Sequence, residues 1–522
     1  MIGFPRTAVR TRPPASLVLP AAVAALIALA PIWYLADRSL SRGWSEVVDE
    51  LWRDRTAQLV WRSVLLTAVV TVLCVLIGVT AAWLVERSDL PGRRLLRVAF
   101  TLPLAIPSYL SAFAWISWDR ELAGFTGAVL VLTLVSFPYV MLPAAAALRH
   151  LDPALDDVAR SLGRTRWRVA VGLTVRQIRP SIAAGALLVA LYVLSDFGAV
   201  AAMRYEAFTW VIYGAYRAGF NPARAAILAT VLVALALVLV LAEARARGRA
   251  TTARVGAGTA RPHTPVPLGR ATPLAWLFSA AVLLPALVFP LWRIGVWLTS
   301  YASTDVDLAD VGASLRSTLT YAALAAVAAT LLAFPVGVLA ARHKGPVPAA
   351  LERSTYVAHA LPGIVVAISL VFVGVKLLRP VYLEWPLLVL GYVVLFLPLA
   401  VGSVRASVEQ SSPRMEEVAR SLGSGPMRVL RRVTGPLALP GIGAGAAMVL
   451  LATMKELPVT LVLHPTGTDT LATQLWKYTA VSDYANAGPY ALALVAFAAV
   501  PTALLGIRQR AAHHATPVLS DE

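Results

Sequence analysis

Cysteine is nearly absent from this chain: Cys74 is the one copy in 522 residues, and it lies in an apolar run. Disulfides within the chain, cysteine-ligated zinc and iron–sulfur clusters are therefore excluded. Lysine is almost as scarce. Lys344, Lys376, Lys455 and Lys477 are the only copies, and none sits in a GK[ST] context, so there is no P-loop. If ATP drives this protein, another chain hydrolyses it. Charge is thin as well, at 14% of residues against 58% hydrophobic, and a soluble protein of this length needs far more polar surface. The seven histidines fall mostly in loops and tails. No His/Cys/carboxylate cluster has ligand spacing, which argues against a resident metal and against a membrane enzyme.

What the chain does have is apolar runs. About twelve approach the roughly 20 residues needed to cross a bilayer. In the first half they cover 17–35, 62–85, 98–118, 126–148, 181–203 and 224–243; in the second, 272–298, 316–341, 355–379, 384–404, 441–463 and 487–508. The expected fold class is all-α and integral to the membrane, with halves at 1–244 and 272–510, a cytoplasmic linker at 245–271 and a cytoplasmic tail at 511–522. The formal charge of +18 does not point to nucleic acid, because the arginines are confined to short breaks, as the positive-inside rule expects. Arg6, Arg10 and Arg12, then Arg87 to Arg97, then Arg160 to Arg179 mark one side. Asp37, Glu46, Asp49, Glu50 and Asp54, and Asp305 to Asp310, mark the other. Both termini are expected in the cytoplasm.

One string occurs twice. VARSLG spans Val158 to Gly163 and Val418 to Gly423, preceded by Asp156-Asp157 and by Glu416-Glu417, at a constant shift of 260 residues. Pro180 and Pro440 share that shift, and Pro138 pairs with Pro398. The repeat opens at Arg62-Ser63 and Arg316-Ser317, and Pro103 is paired with Pro362. Two tandem halves of like orientation are parallel repeats of the kind found in transporters.

The repeated loops (150–180 and 405–440) read as helix, glycine, helix. Asp152-Pro153 and Ser412-Pro413 supply an N-cap and a proline at the first helical position. The paired carboxylates suit the first turn, and Gly163 and Gly423 suit a left-handed stop. Leu155, Val158, Ala159 and Leu162, matched by Met415, Val418, Ala419 and Leu422, make one apolar stripe. A helix of about ten residues is unstable alone. Either it lies on headgroups with its arginines on anionic lipid, or it docks onto a cytoplasmic partner. Near-identical copies at matching places favour docking, and lipid contact is compatible with it.

These loops, DDVARSLG…IRPSI and EEVARSLG…LALPGI, resemble the EAA motif of ABC importer permeases. The first departs from the pattern with Asp for Glu at its start and Arg179 where an apolar residue is usual. The resemblance implies the type I permease fold and a coupling helix seated in a cleft of an ATPase subunit. Asp157, Ala159 and Gly163, and Glu417, Ala419 and Gly423, take that role, with Asp156 and Glu416 beside them. It also implies two ATPase copies, an extracytoplasmic substrate-binding protein, a bacterial inner-membrane location, and no cofactor in this chain, ATP being bound by the partner.

Asp196 and Glu456 also lie 260 residues apart, within Ser195-Asp196-Phe197-Gly198 and Lys455-Glu456-Leu457-Pro458. Each falls roughly 24 Å into its span. Ionisable groups at that depth are costly and face a cavity or a partner. Asp196, Glu456 and Lys455 are thus candidates for the translocation pathway. The structural alternatives are an outer helix end, or neutralisation by Arg204 and Lys455. SDFG with KELP and Thr460-Leu461 resembles the fused ferric iron permeases. Thiamine permeases share the fused layout, and polyamine, sulfate and molybdate permeases are related. From another class, a proton- or sodium-coupled carrier also has twelve spans in two halves, but it needs no duplicated cytoplasmic helix–glycine–helix.

Overall fold

A computed structural model of the chain describes residues 13–41, 43–151, 161–163, 172, 174–217, 221–247, 265–299, 307–357 and 361–508. Their regular structure is helical apart from one isolated bridge between Ser88 and Val266. Among the described residues ten helices are long and apolar enough to cross a membrane, or eleven if one bent pair counts as a span. Ten of the about twelve expected spans are single long helices, and proline accounts for the other two. The run at 98–118 splits into Arg93–Ala105 and Ser108–Ile116, bent by 88°. Pro103 and Pro107 lack the amide a continuous helix requires, and a residue before proline is pushed toward extended backbone. Ile106 accordingly has ψ 117 and Pro107 ψ 145. At 355–379 the extended Pro362 (ψ 146) delays the helix, leaving Gly363–Lys376 at 14 residues.

Two compact units divide the chain: Met1–Trp44 with Leu308–Thr473, and Ser45–Asp307 with Gln474–Glu522. They cut across the tandem halves, since each holds a terminal helix from the opposite end of the sequence. In the first unit, Leu308–Arg342 packs along Trp385–Gln410 and Gly435–Met454. Small residues make this possible, because without a hydrophobic drive between helices in lipid, association depends on close backbone approach. Ala322, Ala325, Ala326, Ala329 and Ala333 are all buried. A Cβ at Gly337 would lie 2.6 Å from Val404, and one at Gly445 would lie 2.3 Å from Ser403. Helix Ala15–Leu40 joins this unit, with Trp33 and Tyr34 against Phe372.

In the second unit, Asp54–Arg87 packs on Pro138–His150 and Val175–Ser195. Gly78 and Gly185 allow the approach, since a Cβ on either would fall within 3 Å of the 137–141 backbone. Trp297 and Tyr484 stack at 5.0 Å and Trp115 on Phe289 at 3.9 Å. These contacts tie Phe289–Thr299 to Tyr484–Arg508 and to Ser108–Ile116. Most of the expected linker (248–264) lies outside the described residues. Its end is pinned: Val266 bonds to the backbones of Arg87 and Asp89, and Leu268 N donates to Asp89 Oδ1.

The two longest helices have 34 and 35 residues, or about 50 Å at 1.5 Å per residue. That exceeds the hydrocarbon core of about 30 Å, so each projects beyond it. Each ends on arginine, Arg87 or Arg342, and at these ends the repeated loops begin to matter.

Candidate coupling loop and intramembrane carboxylates

The second VARSLG copy forms helix Pro413–Ser421 with proline in its first turn. Ser412 has extended backbone, as an N-cap residue should, but its side chain makes no capping bond. The stop is a glycine stop. Gly423 has φ +82, Gly423 N donates to Arg420 O at 2.9 Å, and Ser424 N donates to Ala419 O at 3.0 Å. That pair of bonds is the Schellman arrangement, which satisfies carbonyls left open at a helix end. Nothing lies within 4 Å of a Cβ placed on Gly423, so glycine is needed there for its backbone and not for space.

The two acids of this loop have different jobs. Glu416 turns inward and is 4% exposed. Arg342 reaches it at 2.8 Å and Arg420 at 3.0 Å, and Thr434 Oγ1 donates to it at 2.9 Å. Arg342 also donates to the carbonyl and hydroxyl oxygens of Ser411. One carboxylate therefore fastens the short helix to the end of a long spanning helix and to the start of the next. Glu417 is exposed, because adjacent residues on a helix never share a face. The sequence pattern treats Glu416 and Glu417 as one acidic pair; the geometry separates them. Met415, Val418 and Leu422 are 54%, 58% and 80% exposed and Ala419 is half-buried. The apolar stripe thus faces away from its own chain, as an interaction surface does.

In the first copy, Asp156, Asp157 and Ala159 lie outside the described residues, as do Asp152, Pro153, Leu155 and Val158. Gly163 is described, with φ +79 and open space around it, and Leu162 is 77% exposed. Two parts of the anchor have counterparts: Arg87 ends its long helix, and Thr174 stands 260 residues before Thr434. Both are buried. Beside the second copy, burial and then the Arg420 charge hold His343 below its ordinary pKa.

Asp196 and Glu456 do not sit within continuous helices. Each follows a helix end, at Ser195 or Met454, and caps a short helix beyond the break. Asp196 Oδ1 accepts from Ala199 N at 2.8 Å, and Glu456 Oε1 accepts from Val459 N at 3.1 Å. Broken helix at this depth is tolerated only where protein or a cavity covers it. Asp196 is 8% exposed; Ser108 Oγ donates to its Oδ2 at 2.5 Å, and Thr209 Oγ1 donates to its carbonyl at 2.6 Å. Arg204 is exposed in a turn with φ +53 and forms no ion pair with Asp196 among the described residues. Glu456 and Lys455 are half-buried, and Lys455 N donates to Ala452 O at the helix end. Among the described residues no three His, Cys, Asp or Glu side chains cluster where they could hold a metal ion together.

The family model for binding-protein-dependent transport system inner membrane components matches residues 74–246 and 333–514, taking in both loops and both carboxylates. The chain belongs to this family of ABC importer permeases. The Fe(3+)-transport system permease protein FbpB 2 of Haemophilus influenzae is 34% identical over 498 residues, covering 95% of this chain and 98% of that protein. The molybdate/tungstate transport system permease protein WtpB of Thermococcus kodakarensis is 31% identical over 147 residues, covering 28% of this chain and 60% of that protein. The molybdenum transport system permease protein ModB of Escherichia coli is 32% identical over 159 residues, or 27% and 69%. The permease is a multi-pass membrane subunit and not an enzyme. By family analogy, ATP hydrolysis occurs in a separate ATPase subunit, and cargo comes from a binding protein.

Reading the sequence of this permease missed Arg342, Ser411 and Thr434, which hold Glu416, and Ser108, which holds Asp196. Arg342 was discoverable, since Arg87 and Arg342 close matching spans. Ser108 was not. The structure also shifts the register of the repeat before residue 125. Pro107, not Pro103, corresponds to Pro362, because both are extended residues that open a helix. That makes the shift 255 in this part of the chain.

Proposed function

We propose that this permease forms the membrane pathway of a ferric iron importer, served by two ATPase copies, with both termini and both VARSLG loops in the cytoplasm. The observation that carries the cargo is extent. The relative named for Fe(3+) transport aligns with 95% of this chain, while the molybdate and tungstate relatives align with less than a third of it. The coupling reading is supported by the exposed stripe at Met415, Val418 and Leu422 and by the anchored Glu416 behind it. Asp157, Ala159 and Gly163 in one loop, and Glu417, Ala419 and Gly423 in the other, meet the ATPase. Glu416 fastens the second loop to the membrane domain, and Asp156, 260 residues before it, takes the matching place in the sequence of the first.

In this mechanism ATP closes the two ATPase subunits and draws the two coupling helices together. The second helix pulls on its long spanning helix through the buried Glu416–Arg342 pair, and the pathway turns outward to take cargo from the binding protein. Asp196 and Glu456 lie beside that pathway, where helices are broken. Uptake by proteoliposomes carrying the permease, its ATPase and its binding protein tests the cargo. ATP-dependent entry of ferric iron is expected; entry of thiamine or molybdate in its place would overturn the assignment.

A further inference from the structure

The two intramembrane carboxylates share a backbone design but not a setting, and the internal repeat makes the difference legible. The amide of Phe208 donates to Ser63 Oγ at 3.3 Å, and that of Leu471 donates to Thr318 Oγ1 at 2.9 Å. Ser63 and Thr318 are therefore equivalent, at the shift of 255 that also pairs Ser108 with Gly363. From Phe125 and Trp385, which open matching helices, the shift is 260. At four places around Asp196 the first half carries hydrocarbon: Leu66, Leu132, Val193 and Val200 are all buried. Their counterparts in the second half are Tyr321, Tyr392, Thr453 and Thr460. Ser108, whose hydroxyl secures Asp196, is replaced by Gly363, where a Cβ would fall 2.6 Å from Glu456 Oε1. The fold does not need these hydroxyls, since its own first half packs the same place with Leu and Val.

What they line is a cavity of about 10 Å³ bordered by Glu456, room for one water-sized guest. Its chemistry is one-sided. Thr318 donates its proton to Ser314 O and Thr453 donates to Val449 O. Thr460 donates to Glu456 O at 2.6 Å, so the 2.7 Å contact with Tyr392 has the phenol as donor. Thr473 Oγ1 donates to Thr470 O, which leaves Thr470 Oγ1 to donate to Thr473 Oγ1. With these protons committed elsewhere, the hydroxyls present lone pairs to the cavity beside a carboxylate, and Lys455 does not line it. An anion would meet the Glu456 carboxylate there, with the donor protons of Thr318, Thr453, Thr460, Thr470 and Tyr392 already engaged. A hard cation, which takes oxygen ligands, finds partners.

We propose that this cavity is a binding site for a single hard cation, a station for the cargo ion on its way through the second half of the permease. The site deepens the ferric iron reading and rests on it. It also sets the chain apart in chemistry from permeases for oxyanions.

The test uses the intact transporter in proteoliposomes with its binding protein and ferric citrate, alongside radiolabelled iron binding to the purified permease. The variants are Glu456→Gln, Tyr392→Phe and Thr460→Val, the last being the residue the first half already carries. Loss of even an outer partner of a metal ligand lowers affinity by about 10–100-fold. Glu456→Gln should lower iron binding by at least that much. Thr460→Val should lower it less, with the folding of each variant checked by thermal unfolding in detergent. Gly363→Ser, which brings in the hydroxyl that secures Asp196, should close the site. If wild type imports iron and all four variants bind and import it equally well, the site is refuted and the cargo reading stands. If wild type imports thiamine or molybdate and not iron, both fall.

Discussion

Replacing Arg342 with methionine isolates the link between coupling helix and membrane domain. Glu416 would remain buried at 4% exposure with its strongest counter-charge gone. Removing one partner of a buried ion pair costs about 3–5 kcal/mol. Arg342 keeps 16% exposure, which places the loss near the low end, about 3 kcal/mol. Arg420 cannot compensate, because its side chain is 55% exposed and such i,i+4 pairs contribute only about 0.3–0.5 kcal/mol. At about 1.4 kcal/mol per tenfold, detachment of helix Pro413–Ser421 rises on the order of 100-fold. Hydrogen exchange on the permease in nanodiscs reads this directly. Amides from Val418 to Leu422 should exchange about 100-fold faster, and the number of ATP hydrolysed per cargo ion should rise. The double variant Arg342→Met with Glu416→Met should recover much of the loss, since an apolar pair needs no counter-charge. Unchanged exchange in Arg342→Met would refute the view that Glu416 anchors the loop.

The glycine stops give a second test. Gly163→Val and Gly423→Val place a β-branched residue at φ +79 and +82, at about 1–2 kcal/mol each. Asparagine tolerates that backbone, so Gly423→Asn should retain coupled transport where Gly423→Val does not, read as import per ATP. Ser108→Ala removes the 2.5 Å bond to the buried Asp196 and should lower stability by about 1.5–3 kcal/mol, measured by thermal unfolding in detergent. His343 has its pKa lowered in the folded protein by burial and by Arg420, so the unfolded chain takes up the proton more readily. Its contribution to stability is complete above about pH 6.5 and is lost as pH falls below that. His343→Gln should flatten this dependence in unfolding scans against pH.

Much of the fold was legible in the sequence because lipid imposes a coarse rule. Runs such as 62–85 and 316–341 emerged as the long helices Asp54–Arg87 and Leu308–Arg342. Hydropathy alone does not show where a span breaks, and Pro107 and Pro362 turn two expected spans into a bent pair and a short helix. Gly423 was readable from local chemistry, since capping depends on neighbours in sequence. The separate roles of Glu416 and Glu417 follow from packing against Arg342, 74 residues away. No local pattern reveals that. The exchange of terminal helices between the compact units was equally out of reach, because hydropathy fixes depth in the bilayer and not the choice of neighbour.

The central claim is that both repeated loops dock onto an ATPase. The near-absence of cysteine makes its test clean, because Cys74 is buried and a reporter can be placed elsewhere without background. Leu162→Cys and Leu422→Cys, at positions 77% and 80% exposed, should each crosslink to the ATPase subunit in the assembled transporter. Trp52→Cys, at a position 85% exposed on the expected outer side, should not. Crosslinks from Leu162→Cys and Leu422→Cys that appear with the ATPase and change in yield with ATP are the predicted result. Labelling of both by a lipid-phase reagent, with no crosslink to the ATPase, would contradict it.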